Sequence, residues 1–122
     1  MPLVIIKHDR DSVNSKRLTK IGIALQIIVA EALHVKLPKE GNLTKEDVGV
    51  AIEPHGKLDI NTAPLQIMVI ANFFPARKKN LGERAKIISD RLKETNLVPE
   101  QLIGSKKAFV WVFLCPASFR FL

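Results

Sequence analysis

The sequence predicts an α+β fold built from two successive β-α-β units within a single domain, residues 1–122. Three observations carry this reading. Four short apolar runs, Leu3 to Ile6, Val48 to Ile52, Leu65 to Ala71 and Ala108 to Leu114, have the composition of strands. Between the first two runs, and again between the last two, apolar residues recur at the three- and four-residue spacing of a helix face. The halves, about 1–62 and 63–122, also echo each other. Pro2-Leu3 and Pro64-Leu65 open corresponding strands at an offset of 62 residues, and Arg17-Leu18 and Arg84-Ala85 correspond in the helices at an offset of 67. An internal duplication with a longer loop in the second half accounts for both offsets; chance likeness between two amphipathic helices is the alternative.

Leu3 to Ile6 is apolar and β-branched. The polar stretch from Lys7 to Ser15 then offers Asp11, Ser12 and Asn14 as helix caps. Leu18, Ile21, Leu25, Ile28, Val29 and Ala32 form one helical stripe, which Ile23, Ile27 and Ala30 widen. That helix is predicted to be buried on much of its circumference and to end near Val35, ahead of Pro38 and Gly41. After the strand from Val48 to Ile52, the residues Pro54, His55, Gly56 and Asp59 punctuate a turn or excursion. Following the third strand, Asn80 with Glu83 three residues on predicts a capping box. Its helix turns Ala85, Ile88 and Leu92 inward and stops before Pro99. The last strand is closed by Pro116. Each half then forms a right-handed unit with parallel strands.

Apolar residues make up 47% of the 122 residues and charged residues 25%, which excludes a disordered chain. A chain of this size buries only about two-thirds of its unfolded surface, so covering a four-stranded sheet on both faces calls for oligomerisation. The net charge of +7 and pI of about 9.8 favour anionic partners. Basic residues cluster only at Lys16-Arg17, Arg77-Lys78-Lys79 and Lys106-Lys107, with no interleaved aromatic platform, which argues against a nucleic-acid partner. Cys115 has no cysteine to pair with and is expected as a packing residue; no oxidising compartment is implied. Ile21 to Val35, the most apolar stretch, contains Gln26, Glu31 and His34 and falls short of the roughly 20 residues a membrane span needs. Met1 to Lys7 is too short for a signal peptide. A cytoplasmic location without membrane attachment is expected. His8, His34 and His55 show no metal-ligand spacing with each other or with Cys115, so neither a metal nor a cofactor is expected.

Pro2 is the position that points to chemistry. An initiator Met before a small residue is normally removed, which would leave Pro2 as a free secondary amine able to take or give a proton. Such an amine must be neutral to act as a base, and an ordinary α-amino group titrates around pH 8. Apolar surroundings and nearby cations lower that value, and a general base works best when it titrates near the working pH. Here the amine would head a buried apolar strand in a cationic protein.

Met1-Pro2-Leu3, the stretch Val35-Lys36-Leu37-Pro38, the strand Val48 to Pro54 and the second half together resemble the tautomerase superfamily, which includes 4-oxalocrotonate tautomerase and macrophage migration inhibitory factor. The resemblance covers nearly the whole chain in element order and length. It implies a four-stranded mixed sheet with two helices on one face, and a homotrimer with sites between subunits where Pro2 meets a small anionic keto or enol substrate. By position, Pro2 matches the catalytic base. Lys36 falls where a pocket lysine binds the substrate carboxylate, Arg10 lies near an arginine that follows the first strand, and Arg77 lies near one that opens the second half's loop. Departures exist too: Gly49 stands where one branch has a substrate-binding arginine, no tyrosine is present, and Ala117-Ser118-Phe119 replaces the usual terminal pattern. The implied activity is keto-enol tautomerisation (an isomerase), with decarboxylation or hydration by a protonated Pro2 as a variant. The competing reading is a non-catalytic tautomerase-like or ferredoxin-like module for anion or nucleic-acid binding or assembly. Each cation also has a plainer role open to it: Lys36 would favour the negative end of its helix, and Arg10 and Arg77 would be solvated loop residues. Glu53 shares a strand face with Gly49 and Ala51 and reads as one half of an ion pair, with a second acid-base group as the alternative.

Overall fold

A computed structural model describes residues 2–37, 39–116 and 122. Its elements are β1 (Leu3–His8), α1 (Ser15–Leu33), β2 (Gly49–Pro54), β3 (Leu65–Asn72), α2 (Pro75–Lys79), α3 (Leu81–Glu94) and β4 (Ala108–Cys115). Short 3₁₀ turns occupy Lys39–Gly41, Lys45–Asp47 and Glu100–Leu102. The strands form one mixed sheet in the order β2-β1-β3-β4. β1 runs parallel to β2, and β3 runs parallel to β4. The central pair β1–β3 is antiparallel, with Leu3 opposite Ile70 and His8 opposite Leu65.

Strand alternation sorts the side chains onto two faces. Val4 and Ile6 of β1 and Leu65, Ile67, Val69 and Ala71 of β3 are buried against Ile21, Leu25 and Val29 of α1 and Ile88 and Leu92 of α3. The intervening residues, Leu3 and Ile5, Met68 and Ile70, Phe109, Trp111 and Phe113, form a second apolar face, with no helix over it among the described residues. Trp111 is 56% exposed there, and its ring lies 4.4 Å from that of Phe113.

The periodic elements lie where the sequence placed them, with each strand running one or two residues further at its end and β2 starting one residue later. Asn14 is the α1 cap, its Oδ1 accepting from the Arg17 amide at 2.8 Å. Three expectations are corrected. Asn80 precedes α3, but its Oδ1 accepts from Arg84 Nε at 2.7 Å, so the predicted capping box does not form. A third helix, α2, adds to the two expected; Pro75 supplies a pre-set φ in its first turn. Cys115 is exposed rather than packed, because alternation along β4 turns it to the uncovered face.

Replacing Asn14 with Ala leaves the N-terminal amides of α1 without their side-chain acceptor. Urea denaturation is expected to show a loss of about 1 kcal/mol with an unchanged slope.

Candidate functional site

Pro2 is buried at the head of β1, and its carbonyl accepts from the Gly49 amide at 3.0 Å. This fixes Pro2 at the end of the sheet where β1 and β2 start and β3 and β4 finish. The residues linking α1 to β2 return to that same end, because the two strands they join are parallel. They carry Lys36, exposed and two residues beyond the α1 cap residue His34.

The Lys36 segment is held by hydrogen bonds within itself. The Val35 amide donates to Gly41 O at 2.9 Å, Leu43 N donates to His34 Nδ1 at 3.1 Å, and Asn42 Nδ2 donates to Lys36 O at 3.0 Å. The close approach at Gly41 leaves no room for a side chain, since a Cβ there would run into Val35 Cγ2.

Arg77 is 1% exposed. Its Nε donates to Leu33 O at 2.8 Å, its Nη1 to Asn72 O at 3.0 Å, and its guanidinium lies 4.7 Å from the centre of the Phe74 ring. Arg84 takes the neighbouring acceptors: Nη1 donates to Ala32 O and to His34 O, each at 3.0 Å. Burial, with the Arg84 charge as a second cause, lowers Arg77 to about 10, so it remains cationic at neutral pH. The last carbonyls of α1, which a helix leaves without intrahelical donors, are thus bonded by two guanidiniums from the second half. Arg84 entered the sequence reading only as a repeat position. Its one sequence signal was a spacing of four residues from Asn80, which puts the two on one helix face.

Arg10 occupies the turn after β1, at the opposite end of the strand. The strand rise separates it from Pro2 by roughly 20 Å within one chain. There it lines a cavity of about 320 Å³ with Asp9, Asp11, Ser12, His55, Gly56 and Lys57. His55 is only 7% exposed and is the internal post of the 54–63 excursion. Its Nε2 donates to Ala63 O at 2.8 Å, and its Nδ1, which has no hydrogen-bond partner, lies 3.8 Å from Asp59 Oδ2. One end of the sheet therefore gathers Pro2, Lys36 and Arg77, with Arg77 turned to main-chain carbonyls, while Arg10 stands at the other. Glu53 registers opposite Lys7 on the uncovered face. Pro38 and Ala117-Ser118-Phe119 lie outside the described residues. Among the described residues, no helix is long and apolar enough to cross a membrane.

No family model matches the sequence, nor does any curated protein sequence. Solved structures do match in fold. Native Ps01740 superposes with a TM-score of 0.64 at 10% identity, over 98% of this chain and 99% of that one. The symmetric trimer of wild-type Q0 fused 4-OT gives 0.61 at 12% identity, over 93% of this chain and 85% of that one. Malonate semialdehyde decarboxylase gives 0.59 at 10% identity, over 93% and 84%.

Two substitutions test the framework around Lys36. Arg77→Leu strands Leu33 O and Asn72 O and is expected to cost about 2–4 kcal/mol in urea denaturation. Gly41→Ala overpacks against Val35 and is expected to cost about 1–3 kcal/mol, with amide shifts in NMR spectra concentrated in residues 34–43.

Proposed function

From the fold this chain shares with tautomerase-superfamily enzymes, we propose that it is a proton-transferring isomerase acting on a small keto or enol acid, with the Pro2 amine as base. The observation that carries this reading is the position of Pro2, buried at the head of β1 and at the sheet end to which the Lys36 segment returns. The mechanism requires Met1 to be removed, since only then is the Pro2 nitrogen an amine. The neutral amine takes the proton from the enol hydroxyl. The resulting prolinium returns it to carbon, converting enol to keto acid with no net change in atoms or charge. The ammonium of Lys36 holds the substrate carboxylate and stabilises the oxygen on which charge develops. Arg77 positions that lysine by fixing the end of α1.

The assembly proposed is a homotrimer. The uncovered face with Trp111, Phe109 and Leu3 is an apolar surface of the kind that marks a protein interface, and the similar Q0 fused 4-OT is a trimer. Only such an assembly can bring Arg10 of one copy to Pro2 of another, because the strand length keeps the two apart within one chain.

The test is ketonisation of 2-hydroxymuconate and phenylpyruvate enols, with the N-terminus defined by mass spectrometry. Pro2→Ala is expected to lower kcat/KM by about 10²–10⁴-fold. Lys36→Ala is expected mainly to raise KM, by about tenfold or more, through loss of a charged hydrogen bond. Equal inactivity of wild type and Pro2→Ala, with Met1 shown to be absent, overturns the assignment and leaves the fold serving a binding role.

A further inference from the structure

The second half contains a cleft that the proposed reaction does not use. It is a cavity of about 280 Å³ between the C-terminal half of α3, the connection from Val98 to Lys106 and the starts of β3 and β4. Its floor is apolar: Leu65, Ile67, Leu92, Val98 and Leu102 line it, and all five are at most 8% exposed. The polar side chains among its lining residues belong to Ser89, Lys93 and Lys106, the two lysines being exposed at its rim. Among the described residues, no carboxylate side chain lines it. Two residues in the left-handed region, Gly104 at φ 75° and Lys106 at φ 61°, turn the connection over it. That connection is anchored, since the Ser105 hydroxyl donates to Leu102 O at 3.2 Å and the Leu65 amide to Lys107 O at 3.1 Å.

The topology gives this cleft a counterpart. β3, α3 and β4 form a parallel β-α-β unit in the same chain order as β1, α1 and β2. The Val98 to Lys106 connection joins helix to parallel strand in the second half as the Lys36 segment does in the first. Pro64 precedes β3 as Pro2 precedes β1, but within the chain its nitrogen is a tertiary amide with no proton to exchange. A ligand held there would be bound and not turned over.

We propose that this cleft is a binding site for a small amphipathic monocarboxylate, with its apolar body against Leu65, Leu92 and Leu102 and its carboxylate between Lys93 and Lys106. The volume admits a body on the order of ten non-hydrogen atoms. An apolar floor that orients a ligand through a few polar groups is the usual construction of a small-molecule site, and two ammonium groups without a lining acid select an anionic head. The inference does not depend on Pro2.

The test uses the full-length protein and octanoate as the probe, followed by isothermal titration calorimetry and by amide shifts in NMR spectra. Octanoate is expected to bind saturably, with shifts centred on residues 89–110, while octylammonium at equal concentration is not. Lys93→Gln combined with Lys106→Asn is expected to weaken octanoate at least tenfold; Asn tolerates the positive φ at position 106. Ser89→Leu, which fills the cleft without touching the Lys36 end, is expected to abolish binding while circular dichroism stays unchanged. Absence of saturable binding, equal binding of octylammonium, or octanoate binding unaltered in both variants overturns the proposal. Because Pro2→Ala leaves this cleft intact, it is expected to bind octanoate as the wild type does, so failure here is separable from failure of the proposed activity.

Discussion

The carbonyl end of α1 is the constraint on which the Pro2 and Lys36 end of the molecule depends. A helix leaves its last carbonyls without intrahelical donors, and this one carries no basic residue in its own last turn. Ala32, Leu33 and His34 are bonded instead by Arg84 and Arg77, donors 44 to 52 residues further along the chain. A guanidinium suits the task because its donors are spread over a rigid fork and it keeps its charge when buried. The pair therefore ties the halves together at the point where α1 hands over to the segment carrying Lys36. Burying the Arg77 charge is costly, and the nearby Arg84 charge adds to that cost; the lowered Arg77 is the sign of both, burial being the larger. The hydrogen bonds to carbonyl oxygens offset it, with the negative end of the helix dipole adding to the attraction.

The sheet order sets what one chain can and cannot assemble. With β1 and β3 central and antiparallel, the strand starts of the two halves lie at opposite ends of the sheet. Pro2 and Lys36 share one end; Arg10, His55 and the second cleft lie toward the other. Groups at opposite ends meet only across a contact between copies. The apolar face is a surface suited to such a contact, since Trp111 and Phe109 stand exposed on it.

Much of this was legible in the sequence. The four strands and two long helices follow from period-two and period-3.6 patterns, which depend on local alternation and survive without knowledge of the partner. Right-handed parallel crossovers then gave the pairing within each half. The relation between the halves, a mixed sheet, was legible only through the superfamily resemblance. What stayed hidden were long-range polar contacts. Nothing in the neighbourhood of Arg77 announces that its donors belong to Leu33 and Asn72, because a hydrogen bond to a main-chain carbonyl leaves no residue-type signature on the acceptor. Asn80 and Glu83 matched a capping pattern, yet Arg84 competes for the Asn80 oxygen. Cys115 looked like core because its run is apolar, although its parity with Trp111 already placed it on the other face.

The reliance of the first half on residues 72–84 also bears on how the chain is made. As it leaves the ribosome, β1 can pair only with β2, and α1 ends in carbonyls that no donor has yet reached. At roughly 5–20 residues per second, the interval before Arg77 and Arg84 emerge is a few seconds. Through it the nascent chain exposes one flank of β1 and the apolar underside of an incomplete sheet. The first half therefore completes its native hydrogen bonds only once the β3–α3 segment has been made.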